Sequence, residues 1–108
     1  MGVEVKRFEV WLVDLNPTRG SEINKTRPCL VISPDEANQF LKTVTVAAIT
    51  TARRTYPTRV DTVFVRNDGQ VALDQLRSVD KGLVKKLGVL DTDACQRVCG
   101  TLQAMFAY

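Results

Sequence analysis

Five short runs of β-forming residues, separated by turn signals, precede the one clear helical pattern of this chain. Their partial alternation of apolar and polar side chains predicts strands. The runs are residues 8–15, 28–33, 43–50, 58–66 and 70–73. Residues 76–79 and 83–90 leave a choice between further short strands and one-turn helices. This succession favours a small, mostly β fold with helices (α+β), built as an antiparallel barrel-like sheet.

Two helices and one tight turn complete the expected architecture. The segment Ser33-Pro34-Asp35-Glu36 predicts a short helix that ends near Phe40. Asn67-Asp68-Gly69 predicts a hairpin turn, because Asp-Gly supplies the positive φ angles that tight turns need. From Asp91, a capping residue, apolar side chains recur at helical spacing as far as Phe106. This pattern predicts a C-terminal helix packed on the sheet.

Length and composition narrow the class of protein. With 108 residues, residues 1–108 are expected to form a single domain. No apolar run approaches the roughly 20 residues of a membrane span, and the first residues lack the apolar core of a signal peptide. We therefore expect a cytoplasmic protein with no membrane contact.

The cysteine and histidine counts argue against a disulfide framework and a zinc site. The chain has three cysteines, an odd number without Cys-x-x-Cys spacing, and no histidine. We expect Cys29, Cys95 and Cys99 to be small core residues. The sequence therefore predicts no metal and no cofactor, and any catalysis proceeds without imidazole.

Positive charge is concentrated in two segments, residues 16–27 and 50–60. They hold six arginines and lysines against the single acid Glu22, whereas the rest of the chain carries nine bases and eleven acids. Two basic loops on a neutral-to-acidic body indicate an anionic ligand, although two solvated loops on different sides of the protein would give the same composition.

The first basic segment leads directly into an apolar strand. Residues 16–26 are polar, and Arg27-Pro28 then opens the near-continuous apolar run 28–33. This order sets a guanidinium at the mouth of a buried sheet. A guanidinium can hold two phosphate oxygens at once, so Arg27 is a candidate phosphate ligand.

The order and spacing of four motifs resemble the MazF/PemK toxins of bacterial toxin–antitoxin pairs. The motifs are Val-Trp-Leu-Val-Asp-Leu-Asn-Pro-Thr-Arg-Gly-Ser-Glu, Lys-Thr-Arg-Pro-Cys-Leu-Val-Ile-Ser-Pro, Ala-Ala-Ile-Thr and Gly-Gln-Val-Ala-Leu-Asp-Gln-Leu-Arg-Ser-Val-Asp. The likeness runs from about residue 7 to the C-terminus. It implies an SH3-like, CcdB-like barrel and a homodimeric, metal-independent endoribonuclease that cuts single-stranded RNA. It also implies a cognate antitoxin that blocks the RNA groove.

The resemblance also carries catalytic residues onto this chain. It makes Arg27 the main catalytic residue and Thr50, which closes Ala-Ala-Ile-Thr, its partner. Glu22 matches an acid that affects activity in some members, and Asp74 matches a proposed general base of the PemK branch. That branch has histidine and arginine where this chain has Ser21 and Ala72, so both partners of the aspartate are missing and a catalytic role for Asp74 is in doubt.

RNA contacts are expected from both basic loops. In the second loop, Tyr56 stands among arginines, and an aromatic ring in that setting can stack on an unpaired base. Trp11 and Phe64 are expected in the core instead. The predicted RNA-binding residues are Arg19, Ser21, Asn24, Lys25, Thr51, Arg53, Arg54, Tyr56, Arg59 and Gln75.

Two other functions compete with the nuclease. A CcdB-like poison of DNA gyrase would act through its C-terminal helix, but this chain ends in Met105-Phe106-Ala107-Tyr108, which are residues better suited to packing. A catalytically inactive RNA-binding module would bind RNA with a steep dependence on salt and leave it intact. The context of Arg27 and Thr50 favours the enzyme.

Overall fold

The computed structural model describes residues 4–15, 26–64, 66–81 and 83–108. Six strands and two helices follow one another along this part of the chain. They are β1 (Glu9–Asp14), β2 (Thr26–Val31), α1 (Asp35–Asn38), β3 (Thr43–Thr50), β4 (Arg59–Phe64), β5 (Asn67–Asp80), β6 (Lys85–Val89) and α2 (Thr92–Phe106). The choice left open for residues 83–90 is thus resolved in favour of a strand.

All six strands join one antiparallel sheet in the order β4-β5-β3-β2-β1-β6. The sheet curves into a half-barrel, and its two edge strands approach each other where Gly88 of β6 faces the ring of Phe64 on β4. A Cβ atom on Gly88 would lie 3.2 Å from that ring. The expected mostly β fold with a C-terminal helix is confirmed.

The sheet is apolar on both faces. On one face, Val10, Leu30 and Val71 pack with Ala94 and Val98 of α2. On the other face a second cluster surrounds Trp11, which is buried as expected. Its members include Val13, Cys29, Val31, Val46 and Ala48. Two apolar layers explain why β2 has a near-continuous apolar sequence instead of an alternating one.

The predicted hairpin turn at residues 67–69 is wrong. Strand β4 pairs with β5 through Phe64 and Asn67, so the chain has already reversed before Asn67, and Asn67-Asp68-Gly69 begin β5. Arg66 has the positive φ, at 64°. The sequence misleads here because Gly69 serves a different need, the close approach of two strands.

Strand β5 runs through both segments that looked separate in the sequence. Its register against β3 shifts between the pairs Ala47 with Leu76 and Ile49 with Val71. Between these two pairs, β5 advances by five residues and β3 by only two. The extra residues of β5 form a bulge that contains Asp74 and Gln75.

Helix α2 begins as the sequence predicts. The Asp91 carboxylate accepts a hydrogen bond of 3.0 Å from the backbone N–H of Ala94, which is the usual N-cap arrangement. The helix packs against β4 and completes the core. Within the described residues, no helix is both long enough and apolar enough to cross a membrane.

Candidate active site

The ends of β2 and β3 meet at a cleft of about 520 Å³, which we call the Arg27 cleft. These strands pair antiparallel with Cys29 opposite Ala48 and Leu30 opposite Ala47. Two residues further along each strand, the same register places Arg27 opposite Thr50. The lining residues are Arg27, Pro28, Ile49, Thr50, Thr51, Phe64, Asn67, Asp68, Gly69, Lys85, Lys86 and Leu87.

Arg27 lies near the start of β2, between two strands of the sheet. Its backbone pairs with Val13 of β1, and its side chain is half-buried at the cleft wall. Pro28 follows it and lines the same cleft, so the residue before the apolar run is placed at the sheet's rim. An arginine held in this way presents a fixed positive charge and a planar set of donors to an anion.

Thr50 ends β3, and its side chain is 6% exposed. Its hydroxyl oxygen accepts a hydrogen bond of 3.1 Å from the backbone N–H of Ala52, the first turn of the following loop. A hydroxyl that accepts in this way still has its own proton to donate. Thr50 can therefore donate to a phosphate oxygen or orient a ribose hydroxyl in the cleft.

Gly69 allows β5 to come close to Thr50. A Cβ atom at position 69 would lie 3.1 Å from the Thr50 carbonyl oxygen and 3.3 Å from Cγ2 of Ile49. Both distances are tighter than ordinary van der Waals contact. Because glycine has no side chain, β5 can lie this close to the Thr50 backbone.

Two lysines of β6 add positive charge to the cleft. Lys86 forms an ion pair of 2.7 Å with the buried carboxylate of Glu9, whose other oxygen accepts hydrogen bonds from the Lys6 backbone N–H and from Nε1 of Trp11. Burial raises the pKa of Glu9, but these three donors outweigh it and the net pKa is lowered. Lys86 is therefore anchored, whereas Lys85 is exposed at the cleft.

Asp68 is the acidic residue on the cleft wall among the described residues. It lies at the start of β5, where it is exposed and faces the same space as Arg27 and Thr50. The sequence assigned this aspartate to a turn, so its place in the cleft was not foreseen. A carboxylate at this place can accept a proton from a bound substrate.

Asp74 lies elsewhere and is engaged. It lines a separate cavity of about 210 Å³ together with Gln75, Cys29 and Ala48. Its carboxylate accepts two hydrogen bonds from the Arg59 guanidinium, at 2.7 and 3.2 Å. These bonds lower the pKa of Asp74 below its ordinary value, against a smaller opposing effect of burial. A carboxylate with a lowered pKa and two occupied oxygens is poorly suited to act as a base.

The second basic loop, residues 51–58, follows β3 directly. Thr51 lines the Arg27 cleft, and Arg53, Arg54 and Tyr56 are exposed further along. Tyr56 is 50% exposed. The sequence overstated the charge of this segment, because Arg53 pairs with a carboxylate of β4 at 3.1 Å in addition to the ion pair of Arg59 just described.

The predicted site residues thus divide into four groups. Arg27, Thr50 and Thr51 share the cleft, whereas Asp74, Gln75 and Arg59 lie together at the smaller cavity and its ion pair. Arg53, Arg54 and Tyr56 are exposed on the 51–58 loop. The fourth group lies outside the described residues. Its members are Arg19, Ser21, Glu22, Asn24 and Lys25. Within the described part of the chain, no three potential metal ligands of the His, Cys, Asp and Glu types cluster together.

Sequence reasoning missed the cleft residues that β4, β5 and β6 supply. These are Phe64, Asn67, Asp68, Gly69, Lys85, Lys86 and Leu87. The pair Lys85-Lys86 was the available signal, since two adjacent cations beside an apolar strand fit an anion site. The others are brought in by strand pairing, which a single sequence does not reveal.

The fold and the cleft define a class of protein, a small half-barrel with a cationic cleft suited to an anionic ligand. A family profile described as PemK-like, MazF-like toxin of type II toxin–antitoxin system matches residues 6–106. The chain belongs to this family. It is 38% identical over 110 residues to the endoribonuclease EndoA of Bacillus subtilis (strain 168), covering 95% of each chain.

Solved structures agree on the fold. MazF from Deinococcus radiodurans superimposes with a TM-score of 0.83 at 23% identity, over 98% of this chain and 99% of that one. An endoribonuclease from a mycobacterial species, solved in complex with its cognate antitoxin, gives a TM-score of 0.79 at 24% identity, over 93% and 92% of the two chains. The gyrase-poison alternative gains no support from these comparisons.

Proposed function

We propose that this chain is a toxin endoribonuclease that cuts single-stranded RNA in the Arg27 cleft without a metal ion. The observation that carries this proposal is the shared cleft of Arg27 and Thr50, at the ends of adjacent strands. Membership of the PemK-like, MazF-like toxin family and the likeness to EndoA support the endoribonuclease activity.

The reaction uses the RNA's own 2′-hydroxyl as the nucleophile. Its oxygen bonds to the adjacent phosphorus, the bond from phosphorus to the 5′ oxygen breaks, and the products are a 2′,3′-cyclic phosphate and a 5′-hydroxyl. The enzyme must align the nucleophile, stabilise charge on the phosphorane oxygens, take one proton and deliver another. Ordinary side chains can meet the first three of these tasks, and water can deliver the second proton.

Arg27 stabilises the phosphorane. Its planar guanidinium matches two phosphate oxygens and stays charged at all relevant pH values. Because arginine holds its proton so firmly, its role is electrostatic and it does not act as a base. Loss of one such group typically lowers the rate by about 10²–10³-fold.

Thr50 and Asp68 supply the hydroxyl and the carboxylate. Thr50 donates a hydrogen bond to a phosphate oxygen or orients the 2′-hydroxyl, since its oxygen is already held by the Ala52 N–H. Asp68 takes the proton of the nucleophile, because it is on the cleft wall whereas Asp74 is held by Arg59. The deprotonated 5′ oxygen receives its proton from water.

Lys85, Lys86 and the exposed part of the 51–58 loop bind the rest of the RNA strand. Positive charge beside an aromatic ring holds unpaired nucleotides by phosphate contacts and stacking, and Tyr56 offers such a ring. The protein works in the cytoplasm as a homodimer. A cognate antitoxin inhibits it by covering the cleft, as supported by the toxin family and by the antitoxin complexes of its structural neighbours.

The first experiment is RNA digestion with purified protein in excess chelator, followed by mapping of the 5′-hydroxyl ends. We expect cleavage at short recurring sequences and its loss on addition of antitoxin. The variants Arg27→Ala and Thr50→Val should fold and lose cleavage, and Asp68→Asn should be slower. RNA that stays intact with the parent protein, or an active Arg27→Ala variant, would overturn the proposal.

Lys42→Ala is the matched control for loss of positive charge. Lys42 is exposed and precedes β3, so it lies at the far end of that strand, roughly 25 Å from Thr50. It should bind and cut RNA almost as the parent does. Binding without cleavage by the parent protein would instead identify an RNA-binding module, and its affinity would fall steeply with salt.

A further inference from the structure

The side chain of Gln70 is buried although it is an uncharged polar group in the middle of a strand. It lies on β5 opposite Thr50 of β3 and opposite Asp61 of β4, and it is 5% exposed. A buried amide must find partners for both its N–H and C=O groups. The partners identify what this residue does.

Gln70 is bonded to both main-chain groups of one loop residue. Its Oε1 accepts a hydrogen bond of 3.0 Å from the Arg54 N–H, and its Nε2 donates one of 3.1 Å to the Arg54 carbonyl oxygen. The same Nε2 donates to Oδ1 of Asp61 at 2.8 Å. A side-chain amide here replaces the neighbouring strand that would otherwise pair with this peptide. We call these three bonds the Gln70 clamp.

The clamp holds the centre of the 51–58 loop. The ends of the loop are fixed by the Ala52 N–H on Thr50 and by the Arg59 N–H on the Tyr56 carbonyl. Asp61, which receives the third bond of the clamp, also pairs with the Arg53 guanidinium at 3.1 Å. Because the amide at the centre of this network is buried and all of its polar groups are bonded, it holds the attached backbone firmly.

We infer that Gln70 is a positioning residue that fixes the 51–58 loop beside Thr50 and thereby sets which RNA sequences are cut. This inference rests on the proposed function. Sequence in an unpaired strand is read by loop side chains at base edges, and discrimination between sequences requires those side chains to keep fixed directions. Gln70 itself is buried, so it acts through Arg53, Arg54 and Tyr56.

Gln70→Met tests the clamp, because methionine has similar length and no hydrogen-bonding amide. Without its partner, the Arg54 amide should exchange with solvent deuterium about tenfold faster or more, which is the effect of losing a buried hydrogen bond. Cleavage should persist, but mapped 5′-hydroxyl ends should show a looser sequence preference. For the best parental site, KM should rise more than kcat falls.

Val98→Ala is the matched control for lost stability. Val98 is fully buried in α2 and packs in the apolar core of the sheet. It should lower the melting temperature and leave the cleavage sequence and the exchange of the 51–58 amides unchanged. A change of cleavage sequence in this variant would mean that stability alone controls specificity, against the inference.

Gln70→Glu gives a second route, since it keeps the size and the acceptor but replaces the donor with an oxygen facing the Arg54 carbonyl and Asp61. It should loosen the loop in the same way. If the parent cuts RNA and both variants keep its cleavage sequence and loop exchange, the inference fails and the proposed function stands. If the parent leaves RNA intact, the proposed function fails and this inference with it. If neither variant folds, Gln70 serves the fold and not the loop, which also overturns the inference.

Discussion

Asp74→Asn separates the structural role of this aspartate from the catalytic role that the family resemblance suggested. The substitution keeps the size of the side chain and removes its charge. We expect a less stable protein that cuts RNA at the parent's rate, because the carboxylate binds Arg59 and does not line the Arg27 cleft.

The expected loss of stability follows from the geometry of the ion pair. Arg59 contacts Asp74 at 2.7 and 3.2 Å, with side-chain exposures of 6% and 26%. Exposed pairs contribute under about 1 kcal/mol, and breaking a fully buried pair costs roughly 3–5 kcal/mol. A pair shielded mainly on the arginine side should lie between, at about 2 kcal/mol. In a domain of this size, that lowers the melting temperature by about 8 °C.

The pH dependence has a defined sign. The hydrogen bonds from Arg59 lower the pKa of Asp74 in the folded state, so their stabilisation is complete above the unfolded-state pKa of about 3.9. It is lost as the pH falls through the lower folded-state pKa. The difference in melting temperature between parent and variant should therefore be constant near neutral pH and shrink below about pH 4.

Thermal melts across pH and RNA cleavage per folded molecule provide the measurement. Asp93→Asn is the control, since its pair with Arg97 is an exposed i,i+4 contact and should contribute only about 0.3–0.5 kcal/mol. Equal melting temperatures for Asp74→Asn and the parent would refute the energetic argument. A folded variant with cleavage reduced by about 10²-fold or more, the size typical of a lost general base, would return Asp74 to the catalytic site.

Two further predictions concern a glycine and a thiol. Gly69→Ala should lower the free energy of unfolding by about 1–3 kcal/mol through overpacking, and it should slow cleavage by displacing Thr50. Gly100→Ala is the control: no atom lies within 4 Å of its added Cβ, so it should stabilise the helix by about 1 kcal/mol. Thermal melting and kcat test both variants, and a fully active Gly69→Ala variant would contradict the positioning argument. Burial raises the pKa of the Cys29 thiol to about 12, so iodoacetamide at about pH 8 should label Cys29 only after unfolding. The half-buried Cys99 should react in the native state. Mass spectrometry locates the label, and a label on Cys29 of the native protein would disprove the prediction.

Local patterns predicted most elements of the fold. The alternation of β4, the apolar run of β2 and the Asp91 cap of α2 each depend on neighbours within a few residues, so the sequence displays them directly. The turn after β4 was misplaced by two residues because Gly69 is there to admit Thr50, a residue nearly twenty positions away. No local rule distinguishes that use of glycine from a turn.

The candidate site likewise contains residues that the sequence could identify and residues that only the structure reveals. Arg27 and Thr50 could be identified as candidates because each belongs to a recognisable motif, Arg27 near the start of a strand and Thr50 at the end of one. Asp68, Lys85 and Lys86 could not, since they reach the cleft only through strand pairing. Nor could the sequence show that Arg59 is engaged by Asp74, fifteen residues further along.

The amino-acid sequence by itself predicted the strands, the C-terminal helix and the family, and it supplied Arg27 and Thr50 as candidate site residues, because periodicity and motif spacing are properties of the linear chain. The tertiary structure alone decided which charges are neutralised, which carboxylate lines the cleft and how the 51–58 loop is held. Those outcomes depend on side chains that meet across β3, β4 and β5, and hydrogen bonds and ion pairs form according to distance in space.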